Sequence, residues 1–283
     1  MATVADTQHI VMLSGGAASW ATAKRVAAKH GTKNLHLWFA DTSMEDESLY
    51  KFVSAAAEDV GGELHIYRDG RTPWDVFKDT RMLGNSMFDP CSRILKREPA
   101  RKFMQENFTP ETAIIYLGLT WDEIHRLKTS RKAWTPWQVE APLCDEMVWK
   151  PQVLKELRAS GLPTQRLYEL GFPHNNCGGF CIKAGIAHFK LLYETIPNRF
   201  AEHESKEQAF RKWIEKDVSI LRDRSGGKTT RLTLTELRGR IETDKAGQLD
   251  LLDWGGCGCF VDEEELEGLD IAEHGVSGYT AID

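Results

Sequence analysis

Ile10-Val11-Met12-Leu13-Ser14-Gly15-Gly16-Ala17-Ala18-Ser19 decides how this 283-residue chain reads. The apolar run fits a parallel strand buried on both faces. A Ser-Gly-Gly turn ends it, and a helix-forming segment, 20–29, follows at once. Two glycines let the chain bend tightly and let a ligand approach bare backbone. The first N–H groups of a helix have no internal partner, and the helix dipole favours negative charge there. The stretch therefore suits phosphate; the alternative is an ordinary Gly-rich turn between strand and helix. It is neither G-x-x-x-x-G-K-[ST], since no Lys follows the second Gly, nor G-x-G-x-x-G.

Outward from this unit, strand and helix signals alternate. Strands are expected at 9–13, 35–40, 63–67 and 113–117. Helices are expected at 20–29, 45–60 and 94–106, with Pro99 a break in the last. Alternating βα units predict an α/β fold, a Rossmann-like, doubly wound and mostly parallel sheet covered on both faces. Ligands of such sheets sit beyond the carboxyl ends of the strands. From about residue 142 helical signals dominate, at 151–160, 164–170, 182–195 and 200–217. Arg224-Ser225-Gly226-Gly227-Lys228 reads as a turn. This divides the chain into a nucleotide-binding domain at 1–141, a helical cysteine-bearing portion at 142–261, and an acidic, Gly-containing tail at 262–283 expected to be loosely ordered.

The formal net charge is −6, so no strongly basic nucleic-acid footprint covers the chain. A local basic surface could still form from Arg93, Lys96, Arg97, Arg101, Arg126, Lys128, Arg131 and Lys132. No apolar run approaches membrane-span length, and the polar start lacks a signal-peptide core. The expectation is a cytoplasmic protein with no membrane partner. There, six cysteines read as metal ligands, redox groups or buried thiols before disulfides.

Three further blocks carry chemistry. Asp41, in Phe39-Ala40-Asp41-Thr42, ends the second strand and could meet ribose or magnesium, or cap a helix. Cys91-Ser92-Arg93-Ile94-Leu95-Lys96-Arg97 sets a thiol among cations. Arg93 and Lys96 could hold phosphate or sulfate, and positive neighbours would favour the thiolate of Cys91. Gly118-Leu119-Thr120-Trp121-Asp122-Glu123-Ile124-His125-Arg126 follows the fourth strand. Asp122 or Glu123 could bind magnesium, and Arg126 could neutralise a leaving pyrophosphate; the alternative is a set of helix-start charges.

Ser14, Gly15, Gly16 and Ser19 resemble the S-G-G-x-D-S loop of the PP-loop ATP pyrophosphatases, the adenine nucleotide α-hydrolase-like superfamily. Ala18 stands where that pattern has Asp. The segment 39–45 with Tyr50, the block at Cys91, and Gly118 through Arg126 resemble the PAPS reductase-like branch. The stretch Gly171-Phe172-Pro173-His174-Asn175-Asn176-Cys177 resembles its phage and bacterial members. The resemblance implies ATP bound at the 14–19 loop with Gly118 beside adenosine. It also implies cleavage of the α–β phosphate bond with magnesium, then transfer of sulfur to an adenylated acceptor, a small molecule or nucleic acid. A PAPS or APS reductase is the second enzymatic reading. A nucleotide- or metal-binding regulator without turnover is the third, kept open by Ala18.

The remaining cysteines form two Gly-packed pairs, Cys177-Gly178-Gly179-Phe180-Cys181 and Cys257-Gly258-Cys259. Sulfur-rich sets select zinc or iron–sulfur clusters. Cys144 has no neighbouring partner and reads as a core thiol. By family resemblance Cys91 joins Cys177 and Cys181, with Cys257 or Cys259 completing a [4Fe-4S] site; zinc is the alternative. Cys91 is either a ligand or a sulfur-carrying nucleophile.

Overall fold

The computed structural model describes residues 7–224, 228–243 and 253–255. The chain runs β1 (Gln8–Met12), α1 (Ala17–His30), β2 (Leu35–Asp41), α2 (Glu47–Val60), β3 (Glu63–Arg68) and α3 (Pro73–Thr80). Next come α4 (Pro90–Ser92), a π-helical turn at Arg93–Arg97, α5 (Glu98–Asn107), β4 (Ala113–Leu117), a 3-10 turn at Trp121–Glu123, α6 (His125–Ala133) and β5 (Gln138–Glu140). The second half holds α7 (Pro142–Asp145), α8 (Lys150–Ala159), α9 (Arg166–Glu169), a 3-10 turn at Asn176–Gly179, α10 (Ile186–Thr195) and α11 (Pro197–Ile214). It closes with β6 (Leu221–Asp223), β7 (Thr230–Leu232) and α12 (Leu234–Glu242).

The sheet order is β3-β2-β1-β4-β5, and every pairing is parallel. This is the α/β parallel sheet that the alternating pattern predicts. Strand pleating sends successive side chains to opposite faces. Val11 and Leu13 therefore join one core with Leu37, Phe39, Phe52 and Leu157, while Ile10 and Met12 join the other with Trp38, Ile115, Met104 and Trp134. A third core gathers Trp74, Phe77 and Leu95 with Phe180, Phe189, Phe200 and Leu237. These clusters cross residue 141: Leu143, Val153 and Leu157 pack into the sheet's core. The third core ties the region before α5 to the C-terminal helices.

Local chemistry explains several ends. The Asp46 carboxylate caps α2 through the Ser48 N–H, and Thr72 and Asp75 form a capping box before Pro73. Pro99 breaks its helix less than expected. The chain widens into the π turn just before it, so the missing N–H falls where the hydrogen-bond pattern is already shifting. Among the described residues no helix is long and apolar enough to cross a membrane. Residues 225–227 of the expected turn, the tail at 262–283, and both Cys257 and Cys259 lie outside the described residues.

Candidate functional site

Two clefts open at the carboxyl edge of the sheet and share Asn176 as a common wall. The first, about 790 Å³, is lined by the loop residues Ser14, Gly16, Ala17 and Ala18, by Gly118 and Thr120 after β4, and by Glu123 and Arg126. Lys150, Tyr168, His174 and Asn175 complete it from the second half of the chain.

The 14–19 loop is held from within and behind. Ser19 Oγ accepts from the Ser14 N–H at 3.2 Å and donates to the Gly16 carbonyl at 2.9 Å. Gln165 Nε2 donates to the Gly15 carbonyl at 2.7 Å. Gly15 has φ +75°, and a Cβ there would come within 2.8 Å of Leu49. Gly118 carries the other close approach: a Cβ would lie 2.6 Å from Ser19 N and Cα. Glycine at 118 therefore lets the end of β4 seat directly on the start of α1. That helix has no acidic residue in its first turn and no side-chain cap at Gly16. Its amino end thus faces the cleft without a carboxylate of its own, as an anion site requires.

Charge in the cleft is modest and mostly positive. Arg126 and Lys150 face one carboxylate, Glu123. Glu123 pairs with Arg126 and accepts from the Thr120 hydroxyl at 3.2 Å, capping the turn it starts. Magnesium takes oxygen ligands and commonly leans on substrate phosphates with one or two carboxylates; Glu123 fits that role once Arg126 turns to an anion. Asp122 does not line the cleft. It is exposed and accepts from the Lys150 backbone N–H at 3.3 Å, so its placement does not support a role beside reacting phosphates.

Sequence reasoning gave no role to His174 and Asn175. Both ring nitrogens of His174 and both amide atoms of Asn175 are buried without a hydrogen-bond partner. Each buried polar atom left so costs about 1–3 kcal/mol. Burial, reinforced by His188, holds the His174 imidazole well below its usual pKa, so it is neutral. These orphaned atoms, on a wall of the cleft that the 14–19 loop also lines, mark it as suited to hold something polar.

The second cleft, about 420 Å³, brings together Cys91, Cys177 and Cys181 with Lys96 and Lys183. The expected three-cysteine set thus lines one pocket, with none of the three in a disulfide. Cys177, Gly178 and Gly179 run consecutively in the left-handed region, at φ 51°, 60° and 93°. A Cβ at Gly178 would collide with Arg199 and meet the Met44 carbonyl at 3.0 Å, which fixes glycine there. Beneath lies Glu45, also missed as a site residue. Its carboxylate accepts from the Cys177 N–H at 2.5 Å and the Thr42 hydroxyl at 2.9 Å, and sits 3.6 Å from Lys96 Nζ.

Several expected roles need correction. Burial pushes the Cys91 thiol up to about 12, with Asp89 adding to the shift; Lys96 and Arg97 oppose it and lose. The basic block turns inward or pairs. Arg97 is bidentate to Asp89 at 2.8 and 3.0 Å, Arg93 meets Glu98 at 2.5 Å, and Lys96 is buried against Glu45. Asp41 lines neither cleft. Its buried carboxylate accepts from Arg68 at 2.7 Å, the Tyr50 hydroxyl at 2.8 Å and the Ser43 N–H at 2.7 Å, pinning the end of β2. Cys144 is a core thiol, donating to the Leu119 carbonyl at 3.2 Å.

The segment 253–255 docks beside this pocket. Gly185 N–H donates to the Trp254 carbonyl at 3.1 Å and Ala187 N–H to that of Asp253 at 2.9 Å. A Cβ on Gly185 would lie 2.3 Å from the Asp253 carbonyl oxygen, and one on Gly255 2.3 Å from Gly185 N, so glycine is required on both sides.

No protein-family model matches the chain, and no curated protein matches it. Among solved structures it is similar to phosphoadenylyl-sulfate (PAPS) reductase from Candida auris in a phosphate complex. Identity is 20% over 59% of this chain and 77% of that one, with a TM-score of 0.41. It is also similar to the U34-tRNA thiolase NcsA from Methanococcus maripaludis with its [4Fe-4S] cluster. Identity there is 14% over 75% of this chain and 74% of that one, with a TM-score of 0.44.

Proposed function

We propose that this chain is a PP-loop enzyme that binds ATP in the first cleft, adenylates an acceptor, and delivers sulfur to it from the thiol pocket. The observation that carries this reading is the shared wall: Asn176 separates a phosphate-type loop from three cysteines. In the reaction an acceptor oxygen attacks the α-phosphorus, the α–β P–O bond breaks, and pyrophosphate leaves. A sulfur nucleophile then displaces AMP. The amino end of α1 would hold phosphate oxygens through backbone N–H groups. Arg126 and Lys150 would neutralise the departing pyrophosphate. Glu123 would share magnesium with the phosphates, and His174 and Asn175 would orient nucleotide or acceptor through their unpartnered atoms.

The donor set of the second cleft fits a metal centre. A tetrahedral zinc draws thiolate sulfurs to about 3.8 Å from one another, from Zn–S bonds of about 2.3 Å. Among the described residues, these three cysteines do not form a group closing within 4.8 Å. That favours the wider iron–sulfur cage, held by Cys91, Cys177 and Cys181. In the sequence, Cys257 and Cys259, either of which would be the fourth ligand, follow the anchored segment 253–255. Held by the three cysteines alone, such a cluster would leave one iron open to a sulfur species; a fourth cysteine would close that position and leave electron transfer as its chemistry.

Anaerobically purified protein tests the reading. Iron with acid-labile sulfide, and calorimetric ATP binding that weakens at least tenfold in Asn175→Leu with an unchanged melting temperature, are expected. Tight PAPS binding with no ATP binding would move the chain to the reductase reading. Six freely titratable thiols and no nucleotide binding would overturn the proposal.

A further inference from the structure

At the opposite end of the sheet, β2 and β3 set three ligand-type side chains side by side. His36 pairs with Glu63 in the parallel register, and His65 follows two residues along β3, so all three share one face. His36 Nδ1 lies 3.0 Å from His65 Nε2 and 3.5 Å from Glu63 Oε2. His65 Nε2 lies 3.7 Å from Glu63 Oε1. The two carboxylate distances exceed ordinary hydrogen bonds, so hydrogen bonding alone does not account for the carboxylate standing over both rings. They do match the edges of a coordination tetrahedron: bonds of about 2.0–2.1 Å separate neighbouring ligand atoms by about 3.3–3.4 Å.

The surroundings complete the requirements of a metal site. His36 Nε2 is 3.0 Å from Gln8 Oε1. An amide oxygen only accepts, so Nε2 carries the proton and Nδ1 presents its lone pair toward His65 and Glu63. This is how an outer hydrogen bond fixes the tautomer of a ligating histidine. The Phe108 ring flanks His36 at 5.2 Å between centroids and Phe103 flanks His65 at 4.9 Å, giving an apolar collar. The Glu63 side chain is 68% exposed, which leaves an entry path and an open coordination position.

We propose that His36, Glu63 and His65 form a second metal site, distinct from the thiol pocket, for a divalent transition ion with zinc as the first choice. Two imidazoles and one carboxylate suit that borderline ion, and water would fill the open position. The ion would fasten β3, the edge strand of the sheet, to β2.

Cobalt(II) titration of the anaerobically purified full chain separates this site from the cysteines. Wild type should take up one equivalent whose ligand-field bands lack thiolate charge transfer, and His65→Ala should lose that equivalent alone. Glu63→Gln changes an exposed side chain and should fold normally while binding zinc at least tenfold more weakly. Gln8→Leu, which removes the outer hydrogen bond, should weaken it about 10–100-fold. Equal stoichiometry and affinity in wild type, His65→Ala and Glu63→Gln would overturn the site. So would a wild-type cobalt spectrum carried wholly by thiolate bands.

Discussion

The phosphate cleft and the thiol pocket meet at Asn176 but are built by opposite routes. The floor of the cleft is one continuous piece of chain, where strand, glycine turn and helix start present backbone, and its walls are added from residues 117–126 and 150–176. The pocket is assembled from distant pieces: Cys91 beside a π turn, Cys177 and Cys181 on a left-handed turn, and Glu45 joined to Cys177 across 132 residues. A site made of backbone tolerates changes in its neighbours. A site made of buried, mutually dependent polar groups does not, because removing one partner strands the other.

The largest effect should therefore fall at Glu45. Glu45→Ala removes the acceptor of the Cys177 N–H and the carboxylate beside buried Lys96. Breaking a buried pair from one side costs about 3–5 kcal/mol. Urea unfolding should show a loss of that size together with loss of bound metal, while the fraction still folded keeps its ATP affinity. A change below about 1 kcal/mol would mean that the pocket stands without this hub, and the contrast between the regions would fail.

Neighbouring glycines sharpen the other side of the contrast. Gly16 has φ −96°, and a Cβ there would meet only the Tyr168 hydroxyl at 3.4 Å and Ser14 Oγ at 3.5 Å. Gly16→Val should fold normally and lose at least tenfold in ATP affinity by calorimetry, about 1.4 kcal/mol. Gly15→Ala should instead lower the melting temperature, because its positive φ and Leu49 both oppose a side chain. If both variants merely lost stability, the loop would be a structural turn and nothing more.

A smaller effect distinguishes the regions by acid. Next to the thiol pocket, His203 accepts from Trp74 Nε1 at 3.0 Å and stacks on Phe180 at 3.7 Å. Burial, with Lys206 and Arg199 adding to it, lowers its pKa to about 3. The unfolded chain binds this proton near 6.5 and the folded chain does not. The contribution is therefore complete above about pH 6.5 and falls as pH drops toward 3, by up to about 1.4 kcal/mol per unit. Glu207 works in the opposite sense. Burial raises it to about 7, so its contribution is complete below about 4.5 and is lost as pH rises through 7. Comparing His203→Gln with wild type isolates the histidine: the variant's denaturation midpoint should fall less between pH 6.5 and 5. Identical slopes would assign the acid sensitivity elsewhere.

Strands β1, β2 and β4 were legible as largely apolar runs bounded by turn chemistry, and the edge strand β3 as an alternating one. β5 was not, since Gln138–Glu140 is three residues with one buried side chain. The hairpin of β6 and β7 is equally short. Within the site, the loop glycines and the three cysteines of the described chain could be read locally. His174 and Asn175 could not, because their signal is the absence of a partner, which exists only once the fold surrounds them. Asp41 and the basic block misled for the converse reason. Charge on paper looks available, yet the folded chain spends Asp41 on Arg68 and Arg97 on Asp89.

The side-chain-free contact between Gly185 and Gly255 has a bearing on biosynthesis. A chain emerging from the ribosome completes the sheet, the 14–19 loop and Cys91, Cys177 and Cys181 well before residue 253 exists. Only then can Asp253 and Trp254 dock onto 185–187. Closure of this contact would then be a late event of folding, after the sheet is built. A ribosome-stalled or shortened chain ending before Asp253 would have the cleft at the 14–19 loop in place while 185–187 still lacked the segment that covers it.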